Sequence, residues 1–209
     1  IKGLYSVISP SNSNRYNELN PFRSKSVQLR NFLIIHLMLN YGLRIGELML
    51  LTTNSIKKSI QNHNFSLIIT NTDDEFDDRS KKPKIKNEYS YRVIKLQERD
   101  YRILQIYINE IRKEIPSQIL FTSLKPPYSA LSYASVKKIF DQVDLSLKAL
   151  LPECFDTSAY DSIERLTPHV CRHSWAYMMW TATTLLDKYR LFFLHRRKHY
   201  EWTTIYPRI

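Results

Sequence analysis

Arg172 lies in the stretch Leu166-Thr-Pro-His169-Val-Cys-Arg172-His173-Ser-Trp175, whose residue types suit an anion. Thr167 is a good N-cap and Pro168 fits the first helical position, which predicts a helix beginning here. His169, Arg172 and His173 then stand three and four residues apart, on one face of the first turn. The free N–H groups and positive dipole end of that turn already favour negative charge, and a guanidinium with two imidazoles adds to it. A phosphate suits such a site. The plainer reading is an N-cap followed by ordinary polar residues.

A second group stands in Tyr41-Gly-Leu-Arg44-Ile-Gly-Glu47-Leu. The chain has 3 glycines, and two of them, Gly42 and Gly46, flank Arg44. Gly42 is placed to end one helix at positive φ, so that another begins with Arg44 at its start. Glu47, three positions on, is placed to hold the guanidinium. The plainer reading is a helix corner with a surface ion pair.

Both stretches resemble the tyrosine recombinases, the phage-type integrases, which cut and rejoin DNA through a tyrosine. His169-x-x-Arg172-His173-Ser, with an aromatic residue and Ala after it, resembles the family's second signature box. Gly42-Leu-Arg44-x-x-Glu47-Leu closely resembles the first arginine box. Pro83-Lys84-x-Lys86 leading into Tyr91-Arg92-Val-Ile is similar to the β-hairpin that carries a catalytic lysine. Thr203-Thr-Ile-Tyr206 is similar to the segment that carries the nucleophile.

The resemblance implies a division of labour around one phosphodiester. The transition state gathers negative charge on the non-bridging oxygens, and arginines suit it because they offer fixed paired donors and stay charged. Pre-aimed donors of this kind typically contribute about 2.7–4 kcal/mol each. Arg44 and Arg172 take that role, and His195 gives a further hydrogen bond. Tyr206 attacks, leaving a 3′-phosphotyrosine and a free 5′-hydroxyl. A tyrosine with a pKa of about 10 is a weak nucleophile at neutral pH, so it needs a base, for which His169 is the candidate. Lys84 protonates the departing 5′-oxygen, with Lys86 and then Lys82 as alternatives, since the stretch before Arg92 is longer than the common pattern. Glu47 and His173 support the site. No metal, cofactor or ATP is implied. The expected partners are double-stranded DNA and further copies of the chain, normally four protomers in a synapse.

Two departures stand near the C-terminal end. Phe193-Leu194 occupies the place where the family has Leu-Gly before the histidine, and the chain stops three residues after Tyr206. His199 and Tyr200 are the alternatives to His195 and Tyr206. The competing function is a catalytically inactive DNA-binding module derived from a recombinase.

The resemblance implies a mainly α fold with a small antiparallel β-sheet, the recombinase catalytic-domain fold, over residues 23–209. Residues 1–22, rich in Ser and Asn, read as a linker or surface arm from a missing N-terminal DNA-binding domain. Apolar spacing predicts a helix from Ser24 or Ser26 to Tyr41 and another from Glu98 to Ile115, striped by Tyr101, Leu104, Ile108, Ile111 and Ile115. A third is expected from Ala134 to Leu150. Beyond Pro168, one helix is expected to about Thr183 and a separate one over Leu185–Leu194. Residues 65–70 and 90–96 read as strands, 117–122 as a short strand, and the acidic run 71–78 as a solvated loop.

Composition agrees with this class. Net charge is +11, which fits a polyanionic partner. Hydrophobic residues make up 43% and charged residues 24%, the balance of a folded domain with a real core. The two cysteines, Cys154 and Cys171, are too few for a disulfide framework, so a reducing cytoplasm is the expected setting, at a bacterial nucleoid. The apolar run Phe32–Leu39 is far too short to cross a bilayer.

Overall fold

Helix α2, Lys25–Tyr41, runs through the core. Leu33, Ile34, Ile35, Leu37 and Met38 have almost no solvent exposure, so the helix is apolar nearly all round, as a central helix must be. The computed structural model describes residues 1–209 except 13, 60–63, 72–76, 84–90, 156–164 and 196–209; side chains of 185–195 are also outside the description. The chain divides into two units, Ile1–Trp175 and Ala176–Ile209.

In the first unit, α1 (Lys2–Ile8) precedes α2, and α3 (Ile45–Leu50) follows it directly. Strands β1 (Ile56–Lys58), β2 (Phe65–Ile69) and β3 (Arg92–Leu96) form one antiparallel sheet in that order. Ile56 and Ile94 both pair with Leu67, and Arg92 pairs with Ile69. Alternation along β3 leaves Val93 and Lys95 exposed and turns Arg92, Ile94 and Leu96 inward. Helices α4 (Glu98–Ile106) and α5 (Tyr133–Leu150) complete the unit with the start of α6 (Pro168–His195). The fold is thus mainly helical with a small antiparallel sheet, as expected.

Several local expectations hold. Gly42 ends α2 at φ +60°, and α5 buries the expected Val136, Ile139, Phe140, Val143 and Leu147. Ser132 caps α5 by accepting from the Ser135 N–H.

Others are corrected. The helix expected to reach Ile115 ends its α-helical part at Ile106 and continues as a π turn, Tyr107–Ile111. Leu104 and Tyr107, three residues apart on one face, are buried, whereas Ile108 is only half-buried. The two helices expected after Pro168 are one, because no Gly or Pro interrupts 169–195. The segment 117–122 makes only isolated bridges, Thr52–Ile119 and Thr122–Ala130.

The N-terminal stretch is a folded part of the unit. Leu4, Val7 and Ile8 are buried, and α1 packs on α2 and α5. Its polar residues satisfy backbone groups: Gln28 accepts from Ser11 N–H and donates to the Phe22 carbonyl, while Asn20 donates to the Ile8 and Ser9 carbonyls. The acidic run is also not uniformly solvated. Asp77 is buried and takes a two-pronged bond from Arg79 at 2.7 Å on each oxygen. Among the described residues no helix is long and apolar enough to cross a membrane.

Candidate active site

The α2–α3 corner supplies the first half of the site. Positive φ at Gly42 turns the chain, Leu43 plugs into the core, and Arg44 becomes the N-cap residue of α3 in an extended conformation. Glu47, one turn on, folds back. Its Oε2 accepts from the Arg44 backbone N–H at 2.8 Å and its Oε1 from Arg44 Nη1 at 2.9 Å. The carboxylate is almost fully buried, whereas the Arg44 side chain is 46% exposed. The expected clamp therefore forms, with its cation open to solvent.

The start of α6 supplies the second half. Asp144 on α5 accepts from the Leu166 N–H at 2.6 Å and so fixes the chain just before the helix. Thr167 Oγ1 accepts from the Val170 N–H at 3.2 Å, the expected cap. Cys171 points into the core, where burial pushes its thiol up to about 12, leaving it unreactive.

Arg172, the next residue, donates through Nη1 to the carbonyl oxygen of Gly42. The two signature boxes are therefore joined at one backbone atom. Trp175, one turn on, lies against Gly42 so closely that a Cβ there would stand 2.4 Å from the indole.

His169, Arg172 and His173 do share the first turn, but they do not converge as a trio. The two histidines pair with each other on the exposed surface, Nε2 to Nε2 at 2.7 Å with perpendicular rings. A contact that short between ring nitrogens requires one to donate and the other to accept. Arg172 turns instead toward Gly42.

Sequence reasoning passed over one participant, Arg92. Its Nη2 donates to Glu47 Oε2 at 2.8 Å and lies 3.4 Å from the Gly42 oxygen. The signal was present: in Arg92-Val-Ile-Lys-Leu96 the arginine occupies an inward position of an alternating strand. Three guanidiniums thus gather around one carboxylate and one carbonyl. Burial lowers the pKa of Arg172, and the like charges of Arg44 and Arg92 lower it too, against the opposing pull of Glu47. This excess of positive charge in a partly buried setting is suited to a phosphodiester.

Of the remaining expected residues, Lys84, Lys86, His199, Tyr200 and Tyr206 lie outside the described residues. Lys82 is described and exposed. His195 closes α6, and its side chain is not described.

Residues 12–197 match the model of the family described as "Phage integrase family". Among solved structures, the chain is similar to the XerH site-specific recombinase bound to difH substrate in a pre-cleavage complex. That match has 22% identity and a TM-score of 0.55, and covers 87% of this chain and 40% of that one. It is also similar to the Tn1549 transposon integrase in complex with transposon right end DNA, at 18% identity and a TM-score of 0.53, covering 84% of this chain and 54% of that one. The chain therefore spans about half or less of the length of these two structures. Among curated proteins, no sequence matches it.

Proposed function

The chain belongs to the phage integrase family, the tyrosine recombinases, and we propose that it is the catalytic part of an enzyme that cuts and rejoins duplex DNA through a 3′-phosphotyrosine. The observation that carries this reading is the meeting of Arg44 and Arg172 at the Gly42–Glu47 corner, where the Arg172–Gly42 bond spans 130 residues of chain. Two always-charged forks held together, one of them half exposed, are what the non-bridging oxygens of a phosphodiester need. Duplex DNA is the substrate class, in keeping with the transposon right end DNA named for one structural neighbour.

In this reading the Tyr206 oxygen attacks phosphorus and its proton passes to His169, which His173 holds by the shared hydrogen bond. The bond from phosphorus to the 5′-oxygen breaks, and Lys84 supplies the proton that this oxygen takes up. Arg44 and Arg172 carry the charge that develops, with a further hydrogen bond from His195. Rejoining runs the steps backward, with a 5′-hydroxyl attacking the phosphotyrosine. The bond energy stays in the covalent link, so ATP is not needed. Arginines meet the charge on the oxygens, so chelators are expected to leave the reaction intact. Four protomers form the working synapse.

Covalent capture tests this reading. Wild type and Tyr206→Phe are incubated in EDTA with nicked duplexes drawn from a randomised pool. Adducts are then recovered under denaturing conditions. An adduct at the 3′-phosphate that disappears in the mutant is the expected result. An adduct that survives moves the nucleophile to Tyr200 or another tyrosine, and DNA binding without any adduct supports an inactive binding module instead.

A further inference from the structure

The Arg44 guanidinium holds Glu47 by one nitrogen only, although a guanidinium and a carboxylate normally join as a two-pronged fork. The reason is on the other oxygen. Glu47 Oε2 is already occupied by Arg92 Nη2 at 2.8 Å and by the Arg44 backbone N–H at 2.8 Å. No other hydrogen bond to the Arg44 guanidinium forms among the described residues, so its second prong is left uncommitted. The side chain is 46% exposed against 28% for Arg92, so Arg44 is the one that faces solvent.

We infer that Arg92 is a positioning residue that keeps Arg44 from closing its fork on Glu47, and so leaves an Arg44 prong available to a DNA phosphate. This rests on the function proposed above. Arg92 is poorly placed to take the phosphate itself. Its Nε is buried without a hydrogen-bond partner among the described residues, and its Nη2 is committed to Glu47 and faces the Gly42 oxygen. The Gly42 oxygen also accepts from Arg172, so Arg92 adjoins both arginines of the site while being less exposed than Arg44. Register places it there: Arg92 is inward-facing on β3, opposite Ile69.

Two measurements on Arg92→Ala and Arg92→Lys test the inference. The first is geometric and independent of activity. Crystal structures of the variants should show Arg44 with both prongs on Glu47 in Arg92→Ala and with one in Arg92→Lys, whose ammonium can still occupy Oε2. An Arg44 that keeps its single bond in Arg92→Ala overturns the inference, whether or not the protein cuts DNA.

The second measurement is single-turnover adduct formation. Arg92→Ala should slow it on the order of tenfold to 100-fold, the scale of a misplaced reacting group. Arg92→Lys should recover most of that loss. The slope of DNA affinity against salt should stay unchanged, because a lost phosphate contact would lower it by about one. In an Arg44→Ala background, Arg92→Ala should add little, since the residue it positions is gone. Equal rates for wild type and Arg92→Ala, a lowered salt slope, or full additivity would each overturn the inference. A wild type that binds DNA and forms no adduct counts against the proposed function, and the crystal structures then decide the role of Arg92.

Discussion

The carbonyl oxygen of Gly42 accepts a hydrogen bond from the guanidinium of Arg172, and the Trp175 ring packs where a Gly42 side chain would be. One glycine thus ends α2, presents an acceptor to the second arginine box and leaves room for α6 to approach. Its φ of +60° adds a conformational reason for the same residue.

Gly42→Ala is expected to be severe for both reasons. The left-handed backbone costs a non-glycine residue about 1–2 kcal/mol, and crowding against the indole adds about 1–3 kcal/mol. Gly46 makes the contrast, because a Cβ there meets nothing within 4 Å and the residue sits inside α3. Gly46→Ala should raise stability by about 0.5–1 kcal/mol, the usual helical preference. Urea unfolding of the two variants checks this, and similar midpoints would contradict it.

Glu47 accepts three donors from a nearly closed site. Glu47→Gln preserves its shape but turns one oxygen into a donor group and removes the charge that holds two arginines. Leaving a buried donor unsatisfied costs about 1–3 kcal/mol. A destabilisation of that order is expected from denaturant unfolding, together with a lower rate of adduct formation. A Gln variant with wild-type stability would show that the carboxylate charge is not what holds the corner.

How much of this was legible follows the range of the interactions. The Gly42 turn, the Arg44–Glu47 clamp and the Thr167 cap each lie within a few residues, and local chemistry specified them. The bond from Arg172 to Gly42 spans 130 residues, and spacing within either box does not indicate it. Arg92 escaped notice because an inward arginine on a strand announces itself only if the alternation is taken seriously from the first residue. The π turn that follows α4 is not encoded in the apolar spacing. Helix α1 is short and contains Gly3, so its helicity depends on packing against α2 and α5 more than on propensity.

Asp100 gives the fold a sensitivity to acid. Burial alone would raise its carboxyl pKa. The close pairing with His36 Nε2 at 3.0 Å and the hydrogen bond from the Tyr41 hydroxyl at 2.5 Å outweigh that and hold the pKa below the ordinary value. Tyr5 extends the network from α1 by contacting His36 Nδ1 at 2.8 Å. A carboxyl whose folded pKa is depressed stabilises above its unfolded value, about 3.9, and loses that contribution as pH falls through the folded one. The melting temperature of wild type should therefore drop as pH falls below about 4. Asp100→Asn should flatten that decline while lowering stability at neutral pH by about 1–3 kcal/mol. Parallel acid limbs in wild type and variant would assign the acid sensitivity elsewhere, Asp77 with its Arg79 partner being the next carboxylate to test.

Arg44 and Arg172 should be separable by what each loses. Arg44 is half exposed and bonded to Glu47 by one nitrogen, so Arg44→Ala removes charge and leaves the fold largely intact. Arg172 is partly buried and ties α6 to the α2–α3 corner, so Arg172→Ala should lower both rate and stability. Each substitution is expected to slow adduct formation by about 100- to 1000-fold, the usual effect of removing one pre-aimed donor. Only Arg172→Ala should also lower the melting temperature clearly. Arg172→Lys keeps the charge but offers a single nitrogen, which cannot face the Gly42 oxygen and a phosphate as a fixed fork does. It should restore stability better than it restores rate. Recovery of the full rate by Lys would mean that charge alone is needed at this position, and that the guanidinium geometry at the Gly42 carbonyl serves only the fold.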